Sequence, residues 1–203
     1  MFIFNQQYDY LFKFTLLGRY GAGKTSLIDR YVEDIFNQET KRVKGIDYKL
    51  KKIEIENKII KLQLWEPEPC CRRGEHIPFS YEIRGAHGLI FIYDLTDIET
   101  FTFIQNIINK YNQIDKKMIN KVCKILVGNK CDLSGKYVNE KEVKNLCNKN
   151  NMVFLETSAK NDINVNNVFE LMIRQVLDNI KKGSKYNEGL SLSNDRQKEK
   201  HYC

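Results

Sequence analysis

Gly18-Arg19-Tyr20-Gly21-Ala22-Gly23-Lys24-Thr25 has the spacing G-x-x-x-x-G-K-[ST], and the apolar run Leu11 to Leu17 leads into it. A buried strand, a glycine loop and then a helix is an order that few folds satisfy. Glycines let the backbone curl so that successive N–H groups face inward, and the helix starting near Lys24 adds the positive end of its dipole. The loop is therefore suited to hold phosphate. Lys24 would meet the β- and γ-phosphates as a point charge, with the Thr25 hydroxyl giving Mg²⁺ one ligand. The bland alternative, a glycine loop before a surface helix, does not account for the strand ahead of it. The motif alone leaves ATPases, kinases and GTPases open.

At 203 residues the chain has room for one domain with tails and a sizeable core. Its 42% hydrophobic and 29% charged residues are those of a soluble globular protein. No apolar run approaches the roughly 20 residues of a membrane span, and Met1 to Phe4 is too short for a signal peptide. Six cysteines, two of them adjacent and others on predicted core elements, suggest no disulfide framework, so a reducing cytoplasmic compartment is expected. Cys70, Cys71 and His76 fit no common zinc spacing and read as free thiols and a lone imidazole. The net charge of +7 is spread along the chain instead of forming one dense arm, which gives nucleic-acid binding little support.

The remaining pattern alternates strand and helix. A helix is predicted from about Lys24 to Asp34, with Leu27, Ile28, Tyr31 and Val32 as its apolar stripe. Lys49 to Glu56 and Ile59 to Trp65 read as an antiparallel hairpin turned at Asn57-Lys58. Leu89 to Asp94, Val122 to Gly128 and Met152 to Glu156 read as buried parallel strands, with helices near Glu99 to Asp115, Asn139 to Asn148 and Val165 to Lys181. Such alternation predicts a doubly wound α/β sheet whose ligand lies at the carboxyl ends of its strands. We divide the chain into an N-terminal extension over 1–8, a domain over 9–181 and a flexible tail over 182–203.

Asn129-Lys130-Cys131-Asp132 follows the strand ending at Gly128, where this fold places its ligand. A carboxylate there can accept from the ring N–H and the exocyclic amine that guanine carries side by side. Adenine offers no such pair, and a buried carboxylate left unpaired is costly, so the motif selects guanine.

With these motifs the chain resembles the Ras superfamily of small GTPases, and within it the Rab family, over about Tyr8 to Ile180. The resemblance also rests on Glu156-Thr157-Ser158-Ala159-Lys160, Gly45-Ile46-Asp47-Tyr48, Lys61-Leu62-Gln63-Leu64-Trp65, Arg84-Gly85-Ala86-His87-Gly88 and Ile92-Tyr93-Asp94-Leu95-Thr96. It implies a P-loop small G domain, a mostly parallel six-stranded sheet with one antiparallel edge strand and about five helices, binding GTP or GDP with Mg²⁺. By resemblance, Arg19 to Ser26 cradle the phosphates, Asn129 and Asp132 hold the base, and Lys130 packs along it. Ser158, Ala159 and Lys160 close over the base, the Ala159 N–H meeting the guanine oxygen, and Phe36 stacks on its edge. Thr25 and Glu66 would serve Mg²⁺. His87 reads as packing. Expected partners are the guanine nucleotide, exchange factors and effectors that read the surface around Gly45 to Tyr48 and Trp65, with the protein itself a monomer.

The chain departs from the family where the γ-phosphate is sensed. The switch threonine falls on Val43, which has no oxygen, with Thr40 three residues away. After Trp65 the family's D-T-A-G-Q-E is replaced by Glu66-Pro67-Glu68-Pro69-Cys70-Cys71. Pro69 lacks the N–H of the family glycine, and Cys70 stands at the water-orienting glutamine with a weakly hydrogen-bonding thiol. Gly74-Glu75 could substitute only if the loop is rerouted. Tyr20 sets a phenol where the family has a small residue. No catalytic residue is therefore assigned, and hydrolysis is expected to be slow, since losing one such group typically costs about 10²–10³ in rate.

The tail from Lys182 has five basic and three acidic residues, a net of +2, and ends in Cys203. Rab proteins usually end in paired cysteines that carry two prenyl groups. A single prenyl group on Cys203 would anchor reversibly to the cytosolic face of endomembranes, and an unmodified tail is the alternative. The leading reading is a divergent Rab-like GTPase of vesicle traffic. The second is a non-catalytic module that keeps GDP or GTP as a structural ligand, and a P-loop kinase is disfavoured by the guanine motif.

Overall fold

The computed structural model describes residues 8–38, 46–67, 84–114 and 121–183. Strand β1, Tyr10–Leu17, leads through the glycine loop into helix α1, Lys24–Glu33. A hairpin of β2, Ile46–Ile55, and β3, Lys58–Pro67, follows. Then come β4, Gly88–Asp94, helix α2, Ile98–Ile114, and β5, Cys123–Asn129. Helix α3, Glu140–Asn150, strand β6, Val153–Glu156, and helix α4, Val165–Lys181, complete the order. Four of the expected helices lie among the described residues. None of them is long and apolar enough to cross a membrane.

The six strands form one sheet in the order β2-β3-β1-β4-β5-β6, antiparallel between β2 and β3 and parallel elsewhere. Chain direction across the sheet reverses beside β1, whose neighbours are β3 and β4, and a doubly wound sheet binds its ligand in the crevice at such a point. The glycine loop begins there.

Alternation along the central strands builds two cores. Phe12, Phe14 and Leu16 of β1, Ile90 and Ile92 of β4 and Ile125 and Val127 of β5 pack with α1 and α4. Leu89, Phe91, Tyr93 and Leu126 turn to the opposite face with Phe101, Ile104, Ile108 and Val143. Tyr31 of α1 stacks on Phe169 of α4 with ring centroids 3.9 Å apart. Every residue of β4 and β5 is buried, which is why these strands read as continuous apolar runs.

The hairpin corrects one expectation. Ile55 pairs with Lys58, so the turn residues are Glu56 and Asn57, not Asn57-Lys58. Both have positive φ, 53° and 57°, the backbone of a type I′ turn, whose twist matches that of the flanking strands. A side-chain pattern of period two does not distinguish a turn from one shifted by a single residue. The strand ends shift similarly, β5 running on to Asn129 itself. The helix expected from Asn139 to Asn148 runs Glu140–Asn150 instead, and Asn139 is its N-cap, accepting from the Lys141 N–H at 2.9 Å.

Candidate nucleotide site

The glycine loop owes its shape to two close approaches. A Cβ on Gly18 would lie 2.4 Å from the Ile92 carbonyl oxygen, and one on Gly23 would lie 2.2 Å from the Asn129 amide nitrogen. Gly21 and Gly23 also hold φ of +86° and +89°. Gly23 caps α1 without a side-chain hydrogen bond, and the first turn has no acidic residue. The helix N-terminus therefore offers its backbone donors and dipole without a side-chain cap.

Lys24 is 4% exposed, and its ammonium lies 3.3 Å from the Arg19 carbonyl oxygen and 3.7 Å from Glu66 Oε1. The Thr25 hydroxyl donates to the same Glu66 oxygen at 2.9 Å. Glu66, 5% exposed at the end of β3, is thus brought onto the two residues that the motif reserves for phosphate and metal. Forty-one positions separate Thr25 from Glu66 in the chain; the parallel pairing of β1 with β3 closes that distance. The oxygen pair, hydroxyl and carboxylate, suits a hard divalent cation such as Mg²⁺. Arg19 turns outward to pair with Glu99 at the start of α2, Tyr20 is 58% exposed, and Ser26 is half-buried.

Three further loops meet at the end of β5. Asn129, 1% exposed, donates from its side-chain amide to the Ala22 carbonyl at 3.0 Å and accepts from the Thr157 hydroxyl at 3.1 Å. It braces the glycine loop against the Thr157-Ser158-Ala159-Lys160 segment. Lys130 stands at φ 65° and its ammonium pairs with Asp94 Oδ2 at 2.6 Å. Burial works to raise the Asp94 carboxyl, but the Lys130 and Thr96 hydrogen bonds outweigh it and hold the group below the usual carboxylate range. Asp132 accepts from the Ser158 hydroxyl at 2.6 Å, which fixes the carboxylate that the guanine reading requires. Phe36 is half-buried and packs against the α1 and α4 core.

Arg30 is a site residue that the sequence reading missed. Its Nε donates to the Ala159 carbonyl at 2.9 Å and a terminal nitrogen reaches the Lys160 carbonyl at 3.4 Å, so α1 holds the backbone of the loop that follows β6. Nothing local marks this arginine, because its partners lie 129 and 130 positions away. Asp94 and Thr157 were read only as parts of motifs, and their pairing with Lys130 and Asn129 is likewise tertiary.

His87 behaves as packing. Its Nδ1 accepts from the Lys13 N–H at 2.9 Å, its ring tilts against Phe12, and burial pushes its pKa down to about 4. Cys123 and Cys147 are buried free thiols, and burial pushes both up to about 11. No His, Cys, Asp and Glu cluster able to hold a metal occurs among the described residues. Thr40, Val43, Glu68, Pro69, Cys70, Cys71, Gly74, Glu75, His76 and Cys203 lie outside the described residues.

The phosphate loop, its uncapped helix and the loops at the carboxyl ends of β5 and β6 define a P-loop nucleotide-binding domain of the small G class. A model of the Ras family matches residues 13–178. The GTP-binding protein YPT1 of Saccharomyces cerevisiae is 40% identical over 177 residues, 87% of this chain and 84% of that protein. Ras-related protein RABD2c of Arabidopsis thaliana is 42% identical over 169 residues, covering 83% and 81%. Ras-related protein Rab-1 of Theileria parva is 37% identical over 176 residues, covering 86% and 78%. The chain belongs to the Ras family of small GTPases, in its Rab branch.

Proposed function

We propose that this chain binds guanine nucleotides with Mg²⁺ as a Rab-type switch in intracellular vesicle traffic and hydrolyses GTP slowly. The carrying observation is the convergence of Lys24, Thr25 and Glu66 at the uncapped start of α1, with Asp132 fixed by Ser158 at the base end. Its relatives include a protein named as GTP-binding, and this supports the same ligand here. The glycine loop and the Ser158-Asp132 pair supply grip on diphosphate and guanine. Thr25 and Glu66 would hold Mg²⁺, which when bound neutralises phosphate charge. Glu66 has one methylene more than the family's aspartate and already reaches the Thr25 hydroxyl, so it competes with phosphate for Lys24.

Slow hydrolysis rests on composition at three positions. Val43, Pro69 and Cys70 replace an oxygen ligand, a backbone donor and a water-orienting amide. Each loss removes a group that is aimed at developing charge or at the attacking water. Single-turnover assays with γ-labelled GTP test this. The expected rate is at least about 10²-fold below that of a Rab protein with all three groups, and an ordinary rate defeats the proposal.

The domain over 9–181 would carry this activity, with 182–203 as a tether. Mass spectrometry of the protein from its own cells for a prenyl group on Cys203 tests attachment to endomembranes. Tyr48 and Trp65 stack at 4.9 Å on the β2-β3 surface, with Tyr48 half exposed, which supports that face as the effector surface.

A further inference from the structure

The opposite end of the sheet from the nucleotide site carries a cleft of about 770 Å³ between the start of β5, the end of α3 and the last turns of α4. Lys124 lines it from the second residue of β5 and is only 7% exposed. No hydrogen bond or ion pair satisfies its ammonium among the described residues. The other buried lysine among the described residues, Lys24, is matched: it lies on Glu66 and on the Arg19 carbonyl. The stem of Lys124 is packed away while the ammonium opens onto the cleft, so the charge is only partly solvated, and burial drives its pKa downward. A partly desolvated cation at the wall of a cleft is best offset by an anion that enters it.

The walls suit one charge class. Lys149 and Lys182 join Lys124, and Asp178 is the acidic residue of the lining, so three ammonium groups stand against one carboxylate. The side-chain excess of positive charge, offset in part by the carbonyl ends of α3 and α4, favours a small anion such as a phosphomonoester. Asn151 and Asn179 line the same cleft and contribute side-chain amides as neutral donors. Asn179 already donates one hydrogen bond, to the Cys123 sulfur at 3.1 Å, which orients its amide at the cleft floor.

We propose that this cleft is a second anion site, separate from the nucleotide pocket, that takes a phosphomonoester on Lys124, Lys149 and Lys182. The phosphate can be that of a soluble metabolite or of an anionic lipid head group. The cleft borders Lys182, where the chain passes into the 182–203 tail, so a bound head group would hold this end of the domain at the membrane.

The test uses the full chain, ¹⁵N-labelled, with saturating GDP and Mg²⁺ present, titrated at constant ionic strength with inorganic phosphate and then with glycerol 3-phosphate. Saturable shifts of the Asn151 and Asn179 resonances are expected, with affinity at least about tenfold lower in Lys124→Met. This substitution keeps the stem and removes only the charge, so the variant should fold at least as well as the parent. GDP affinity is read in parallel and should be unchanged, since the nucleotide loops lie at the other end of the strands. Phosphatidylcholine vesicles with and without phosphatidic acid form the second arm. Tighter binding to the acidic vesicles than to glycerol 3-phosphate assigns the site to a lipid; the reverse assigns it to a metabolite. Lack of a saturable shift at these residues, or an equal response from Lys124→Met, overturns the proposal.

Discussion

Single residues set the chemistry of the nucleotide site, and each makes a distinct prediction. In the guanine site proposed above, Asp132 would present two acceptors to the base. Asparagine at that position would present one acceptor and one donor, which suits the C2 carbonyl of xanthine and not the amine of guanine. Asp132→Asn should therefore lose about 10²-fold in GDP affinity and bind xanthosine diphosphate in its place, as read by competition with a fluorescent nucleotide. Gly23 has two reasons to be glycine, its φ of +89° and the 2.2 Å that a Cβ would leave to Asn129. Gly23→Ala should displace the brace between the two loops and lower stability by about 1–3 kcal/mol, measured by urea unfolding. His87 predicts a pH dependence. Its folded pKa of about 4 lies below the ordinary 6.5, so below pH 6.5 the unfolded chain takes up a proton that the folded chain refuses. Stability is fully present above pH 6.5 and falls on acidification toward pH 4, by up to about 3 kcal/mol from this group. His87→Gln should flatten that part of the profile. Of these features, the glycines, the lysine and the carboxylate were legible from motif spacing. The brace role of Asn129 was not, since its partners Ala22 and Thr157 are chosen by packing.

Between elements, the interactions are those that spacing along one segment leaves undetermined. Arg30 on α1 grips the carbonyls of Ala159 and Lys160, so the helix that follows the glycine loop also positions the loop after β6, which the proposed function assigns to the base. Arg30→Ala leaves two carbonyls without these donors, and GDP release should quicken by about tenfold, corresponding to 1–2 kcal/mol of lost hydrogen bonding. Stopped-flow release of a fluorescent GDP analogue measures it. The β2-β3 turn rests on Glu56 and Asn57 at positive φ. Asn tolerates that region and a β-branched residue does not, so Asn57→Val should cost about 1–2 kcal/mol with no effect on nucleotide affinity. Thermal unfolding with and without GDP separates the two effects. Element type and order were readable because period-two and period-3.6 patterns were strong. Turn register was displaced by one residue, because apolar spacing is blind to where the backbone reverses.

At the scale of the molecule, two ends of one sheet carry opposite designs. The carboxyl ends gather loops whose charges pair with one another, Lys24 with Glu66 and Lys130 with Asp94. At the other end, Lys124 is buried facing a cleft with no partner among the described residues. Sequence by itself determined the doubly wound sheet, the glycine-loop geometry and the placing of Asp132 just after β5, because each is written in residues close together along the chain and governed by local backbone geometry. Tertiary structure alone decided that Glu66 reaches Thr25 and Lys24, that Arg30 supports the base loop and that Lys124 faces a cleft. Those facts depend on which strands lie side by side, and strand order is a property of the folded whole, set by the burial of two apolar faces at once.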